Sequence, residues 1–385
     1  MTNITGFVAP GFERVLEAFA QNFVDSLEVG ATTSVYLHGK HVVDLQGGHV
    51  DEARTIPYTS NNVQLVFSST KGAAALCVAM LADRGLIDYT APVAQYWPEF
   101  AQGGKAGVTV EQMLSHQAGL YTVDNPPSLD EVLAWGPVCA ALAAQAPYWE
   151  PGTQHGYHAL TYGWLAGELV RKVDGRNIGR FFGEEVAAPL GLDFWIGLPE
   201  AMEPRVAPLI AADPFPPEVA EMAAMFMGPD TIFGKAMGLS GTFGGLGDAS
   251  EMFNSRKIRA AEIPAANGVT NASSLSRMYA GAMGHIDGVH LVSPATIDYA
   301  RITRTSGADL TLLMESTFGC GFMTHGITSL YGGPGSFGHT GAGGSVGFGH
   351  PESGVAFGYV MNKMDNSLTG DPRTIRLIDA VYACL

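Results

Sequence analysis

A serine three residues ahead of a lysine, where an apolar helix begins, is a spacing that can make a nucleophile. Residues 66–72 read Val-Phe-Ser68-Ser69-Thr70-Lys71-Gly, followed by a nearly unbroken apolar helix pattern. Three residues along a helix is close to one turn, so Ser68 and Lys71 are expected on one face. The hydroxyl then sits near an ammonium group and the positive end of the helix dipole, which both favour a developing oxyanion. Serine is also a common N-cap, so an isolated Ser-x-x-Lys can equally open an ordinary helix. A lysine at the buried start of that helix needs a further purpose, because an unpaired buried ammonium is costly.

Two other stretches could join Ser68. In Pro151-Gly-Thr-Gln-His-Gly-Tyr157-His158-Ala159 a turn presents a tyrosine just before a small-residue helix. In His339-Thr340-Gly341 a glycine-rich strand lets a ligand approach the backbone. His116, His155 and His158 are alternative bases for a Ser-His pair, and His158, beside Tyr157, is expected to line the site. Gly343-Gly-Ser345-Val-Gly347 matches the Gly-x-Ser-x-Gly elbow, which requires a strand, a sharp turn and a helix. Here Phe-Gly-His-Pro follows, so Ser345 reads as structural or pocket-lining.

Taken in order, Ser68-x-x-Lys71, Tyr157 after its Pro-Gly-Thr turn, and His339-Thr340-Gly341 resemble the three motifs of class C serine β-lactamases and penicillin-binding proteins. The closest likeness is to their esterase relatives, the family VIII carboxylesterases. Met113-Leu-Ser-His-Gln-Ala-Gly-Leu120, Pro189-Leu-Gly-Leu-Asp193 and Pro264-Ala-Ala-Asn-Gly268 resemble the same family, and the likeness runs from about residue 30 to 362. It implies an α/β (α+β) fold of the serine β-lactamase type. Residues 1–66 and 300–385 would form a sheet domain and 67–299 a mainly helical one, with the active site between them.

The resemblance makes Ser68 the acylated nucleophile, with Lys71 and Tyr157 sharing its proton. A lysine ammonium would lower the tyrosine's value of about 10, and a phenolate would favour the charged lysine. Which of the two is the base stays open, because coupled groups titrate as a pair. Backbone N–H groups of Ser68 and Ala342 would form the oxyanion hole, and His339, Thr340, Gly341 and His158 would contact substrate. Two departures matter. Tyr-x-Asn becomes Tyr157-x-Ala159, and Lys-Thr-Gly becomes His339-Thr340-Gly341, so an amide and a permanent ammonium are gone. Both point away from β-lactams and toward short-chain, uncharged esters. The alternatives are a β-lactamase, D-amino-acid amidase or acyltransferase on the same site, and a non-catalytic binding protein.

The elements that must position these residues are partly legible. Apolar stripes predict helices over 12–28, from Ser68 to a cap at Gly85, over 271–284 and over 372–383. Thr109-x-x-Gln112 is a capping box, with Gly119 expected to end its helix. Residues 33–37 and 41–45, joined by His38-Gly39-Lys40, read as a hairpin, and 337–349 and 354–361 as adjacent strands. Met222, Met225 and Met227 in a Met- and Gly-rich stretch over 213–248 suggest an adaptable pocket wall.

Composition bounds the rest. In 385 residues, 46% are apolar and 15% charged, enough for a large interior. A formal charge of −16 argues against nucleic acid and anionic membranes as partners. The first residues lack a secretory pattern, so a cytoplasmic location is expected. Four scattered cysteines and unpaired histidines predict no metal site and no cofactor. The expected partner is a small-molecule ester, with a homo-oligomer left open.

Overall fold

Strands from the two ends of the chain meet in one antiparallel sheet. The computed structural model describes residues 3–25, 28–244, 249–284, 286–367 and 370–385. The N-terminal end supplies β1 (Ile4–Val8), β2 (Gly30–Leu37) and β3 (Lys40–Gly48). The C-terminal end supplies β4 (Thr305–Ala308), β5 (Glu315–Phe318), β6 (Met323–Thr324), β7 (Phe337–Thr340), β8 (Val346–His350) and β9 (Val355–Met361). Their order across the sheet is β1-β3-β2-β9-β8-β7-β6-β5-β4. The halves join where β2 pairs with β9, from Ala31 opposite Met361 to Leu37 opposite Val355. The predicted hairpin is there, turning at His38 and Gly39 with positive φ, as a two-residue hairpin loop requires. The run over 337–349 is two strands rather than one, because a helical turn, Ala342–Gly344, interrupts it.

The period-2 alternation of strand side chains divides the core between the two faces. Val35, Phe357 and Tyr359 face Val15 and Phe19 of helix α1 (Glu13–Val24) and Leu377 and Val381 of the C-terminal helix (Pro372–Tyr382). Leu27, read as part of the first helix, lies outside the described residues. Tyr36, Ala356 and Val360 face the opposite layer, where the helix Ala272–Met283 lies on the sheet. Glycines allow that approach: a Cβ at Gly358 would stand 2.4 Å from the Ala272 carbonyl oxygen. Much of the glycine in these strands therefore serves helix-on-sheet packing.

Between the sheet-forming ends, helices predominate. Helix α2 (Thr70–Asp83) is buried from Thr70 to Leu81 and packs against Thr161–Asp174, and Gly85 follows it with φ +70°. The Thr109 capping box is formed, but its helix spans only Val110–Leu114. It stops short of Gly119 because His116 turns to φ +65°, outside the helical region. Helix Pro217–Met227 exposes Met222, Met225 and Phe226, so most of the expected methionine wall faces solvent, and residues 245–248 of that stretch lie outside the described residues. No helix among the described residues is long and apolar enough to cross a membrane.

Candidate active site

Ser68 does not cap α2 but sits in a tight 3-10 turn, Phe67–Ser69, that leads into it. A short strand, Gln64–Leu65, pairs with Val269–Thr270 and delivers the chain to this turn. Phe67 adopts φ +42°, a conformation that β-carbon-bearing residues hold only under constraint. The constraint is visible: the Val66 N–H donates to Gly268 O, Thr70 Oγ1 donates to Phe67 O, and the Phe67 ring packs on Phe253.

Lys71, one turn on, is fully buried, and its Nζ stands 3.0 Å from Ser68 Oγ. Its other two contacts are carbonyl oxygens, Ala159 at 2.7 Å and Ala265 at 2.9 Å. No carboxylate accompanies it in these contacts, and burial pulls its pKa well below the ordinary lysine value. Tyr157 is buried too, with Lys71 Nζ 4.7 Å above its ring centroid. Burial pushes the phenol well above its usual value, opposed by a hydrogen bond with Ser68. The two groups move apart, toward neutral amine and neutral phenol, instead of stabilising each other as ions.

His339 lines the cleft beside Ser68 and Tyr157, and its burial pulls the imidazole well below the ordinary histidine value. Its Nδ1 is 2.7 Å from the Thr340 carbonyl, so the neutral ring donates there. Gly341 is required by the chain, not by a ligand: a Cβ would lie 2.2 Å from Val66 O and 2.3 Å from Ser345 Oγ. Strand β7 is thereby drawn against the Ser68 turn. Ser345 completes that tie by donating to Val66 O at 2.8 Å and pairing with Ser69 Oγ at 3.1 Å. It is 1% exposed and strand follows it, so no elbow forms. Ser68 and Ala342 both lie in first-turn positions, where N–H groups lack acceptors within the turn. Both residues line the two clefts that meet at Ser68.

Those clefts share Ser68, Met237 and Ala342. One is bounded by Tyr157, Leu312, Met323, His339 and Thr340, the other by Phe67, Ala159, Leu160, Phe243 and Phe253. Met237 is the methionine of the 213–248 stretch that reaches the site.

His158 is a correction. It is fully buried, its Nε2 accepts from the Leu120 N–H and its Nδ1 is bonded to Gly156 O, with a pKa pulled down to about 3 by burial. It holds two loops together and lines neither cleft. His116 accepts from the His158 N–H, and His155 is bonded to Ser316. Asp309 escaped the sequence reading. Its carboxylate accepts from the N–H groups of Tyr157, Thr311 and Leu312 and from Ser316 Oγ, fixing the tyrosine loop. An Asp accepting from the backbone two and three residues on is an Asx-type turn, the one local signal it left.

Known proteins resemble this chain across its length. The chain is 39% identical to the esterase/beta-lactamase LipL of Mycobacterium tuberculosis over 376 residues, 94% of this chain and 83% of LipL. The crystal structure of a family VIII carboxylesterase superposes with a TM-score of 0.90 at 39% identity, covering 100% of both chains. A penicillin-binding protein homolog from Caulobacter crescentus gives a TM-score of 0.87 at 42% identity, again over 100% of both. The family profile described as Beta-lactamase matches residues 17–380, and with the Ser68 turn, the Tyr157 loop and the His-Thr-Gly strand assembled over that span, the chain belongs to the beta-lactamase family.

Proposed function

We propose that this protein is a serine carboxylesterase that hydrolyses short-chain, uncharged esters through an acyl-enzyme on Ser68. The observation that carries it is the set of three contacts around Lys71 Nζ. A neutral amine has two N–H bonds and one lone pair. Lys71 Nζ donates to the carbonyls of Ala159 and Ala265 and, as an ammonium, to Ser68 Oγ 3.0 Å away; with the carbonyls keeping two N–H bonds, loss of the third proton turns the lone pair toward the Ser68 hydroxyl. Lys71 is then the base and Tyr157 the proton donor.

Ser68 Oγ attacks the ester carbonyl as its proton passes to Lys71. The carbonyl oxygen, now negative, accepts from the N–H groups of Ser68 and Ala342, donors that contribute about 3 to 4 kcal/mol each. The tetrahedral intermediate expels the alcohol, which takes a proton from Tyr157, and the phenol is reprotonated from Lys71. Water, activated in the same way, releases the acid. Ester chemistry is favoured over β-lactam chemistry because the cleft carries apolar Ala159 and a buried neutral His339 where an amide and an ammonium would hold a charged lactam. The names of LipL and of the family VIII structure agree with this choice.

Side-by-side hydrolysis of nitrophenyl butyrate and a chromogenic cephalosporin tests it, using the wild type, Ser68→Ala and Ser345→Ala. Ester turnover should vanish with Ser68→Ala, persist in Ser345→Ala, and exceed cephalosporin turnover in the wild type. Turnover that survives Ser68→Ala would sink the assignment.

A further inference from the structure

The oxyanion turn Ala342–Gly344 is held from behind by a buried arginine. Arg373 is 3% exposed, and its Nη2 donates to the Gly343 carbonyl at 2.8 Å. The same carbonyl accepts from the Asp365 N–H at 3.0 Å. Arg373 is itself fixed on every side: Nη2 and Nε bind the Asp371 carboxylate, Nη1 donates to Lys363 O at 2.9 Å, and Glu28 Oε2 lies 3.5 Å away. Gly344 permits the approach, because a Cβ there would stand 2.2 Å from Asp371 Oδ2.

A buried ion cluster is weak grounds for stability, since well-packed apolar side chains of similar volume serve as well or better. What a guanidinium alone provides is a planar fork of donors that holds several acceptors at fixed angles. Here that fork joins the C-terminal helix to the residue next to Ala342. On the other side, Ser345 and the Gly341 N–H, which donates to Ser345 O, tie the same turn toward Ser68. The turn is thus gripped from front and back.

We infer that Arg373 is a positioning residue for ester hydrolysis, holding the Ala342 N–H at the angle from which it meets the oxyanion. The inference rests on the function proposed above. Because the oxyanion exists only after attack, a loosened turn lowers kcat and leaves substrate binding alone.

The test compares wild type, Arg373→Lys and Arg373→Ala on nitrophenyl butyrate, with butylboronic acid as a tetrahedral mimic and circular dichroism to verify folding. Folded Arg373→Ala should lose roughly 10- to 100-fold in kcat, the scale of a small misplacement of a catalytic group, with KM within about twofold. Boronate affinity should fall in step. Added guanidinium should restore part of the rate, reaching the gap by the small cleft that Asp371 and Thr374 line. If Arg373→Ala does not fold, Arg373→Lys carries the test, with about a tenfold loss in kcat expected from its missing fork. Wild-type kcat in a folded variant, or a loss confined to KM, overturns the inference. An inactive wild type or an active Ser68→Ala overturns the function it rests on instead.

Discussion

Lys71 and Tyr157 are both buried, and burial penalises whichever form is charged, so one value falls and the other rises. This sets the pH behaviour. kcat/KM should rise as pH passes the depressed Lys71 value and then stay flat, because the phenol keeps its proton; a falling limb near pH 8 would contradict the assignment. Stability carries the same sign. The unfolded lysine binds a proton that the folded one refuses, so this site favours folding as pH rises toward the unfolded value of about 10. Lys71→Met should be inactive, and wild type should lose thermal stability relative to it as pH drops from about 9 to 6. His158 predicts the opposite phenotype. His158→Ala leaves the Leu120 N–H and Gly156 carbonyl without their partner and should cost about 1 to 3 kcal/mol each way, measured by urea unfolding, with KM unchanged in the folded fraction. Ser68 and Lys71 could be singled out from the sequence because one helical turn separates them, whereas Tyr157 is reached only through the resemblance of its loop to a known family. His158 was misjudged because adjacency to Tyr157 along the chain says nothing about which way a ring turns.

Elements bring the Ser68 turn and the Ala342 turn together, and strand β7 lies tight against the Ser68 turn at Gly341. Gly341→Ala would drive a methyl into Val66 O and Ser345 Oγ, both about 1 Å inside contact distance. Strand β7 must then move off the Ser68 turn. We expect kcat to fall by at least about 100-fold in protein that still folds, with KM much less changed; kcat near wild type would show that the contact is slack. Helix α2, the hairpin and the capping box could be read from the sequence because each rests on contacts within a few residues. The Phe67 turn and the break at Ala342–Gly344 could not, since both are held by partners far along the chain.

At the scale of the molecule, two clefts meet at Ser68, and their walls come from separated parts of the chain. Tyr157 and His339 face one cleft, so under the proposed mechanism the departing alcohol, which must collect a proton, is expected there and the acyl chain in the other. Phe243 and Phe253 bound that second cleft and are expected to limit acyl length. Phe253→Ala, which removes roughly a benzyl group from the wall, should shift the kcat/KM optimum across nitrophenyl esters from about four acyl carbons toward about eight. An unchanged profile would move the acyl group to the other side. Glu28 reports on the clamp behind the site: burial pushes its carboxyl up to about 7, with Arg373 and its bond to Tyr359 opposing and Asp371 reinforcing. Its raised value means that the folded protein keeps a proton the unfolded chain releases, so this group's contribution to stability declines between about pH 4.5 and 7.

The Ser-x-x-Lys motif, the order of the three motifs, Ala159 and His339 in place of the resembled family's amide and ammonium, and a sheet with strands from both ends of the chain are all legible in the sequence. Those features are carried by residue type and short spacing, which survive without coordinates. Packing adds that Lys71 is enclosed by two carbonyls and Ser68, that Ser345 bonds Val66 O, that Met237 and Phe243 of the 213–248 stretch reach the clefts, and that Arg373 grips the Ala342–Gly344 turn. Each of these depends on burial or on direction between residues distant in sequence, and neither quantity exists until the chain has packed.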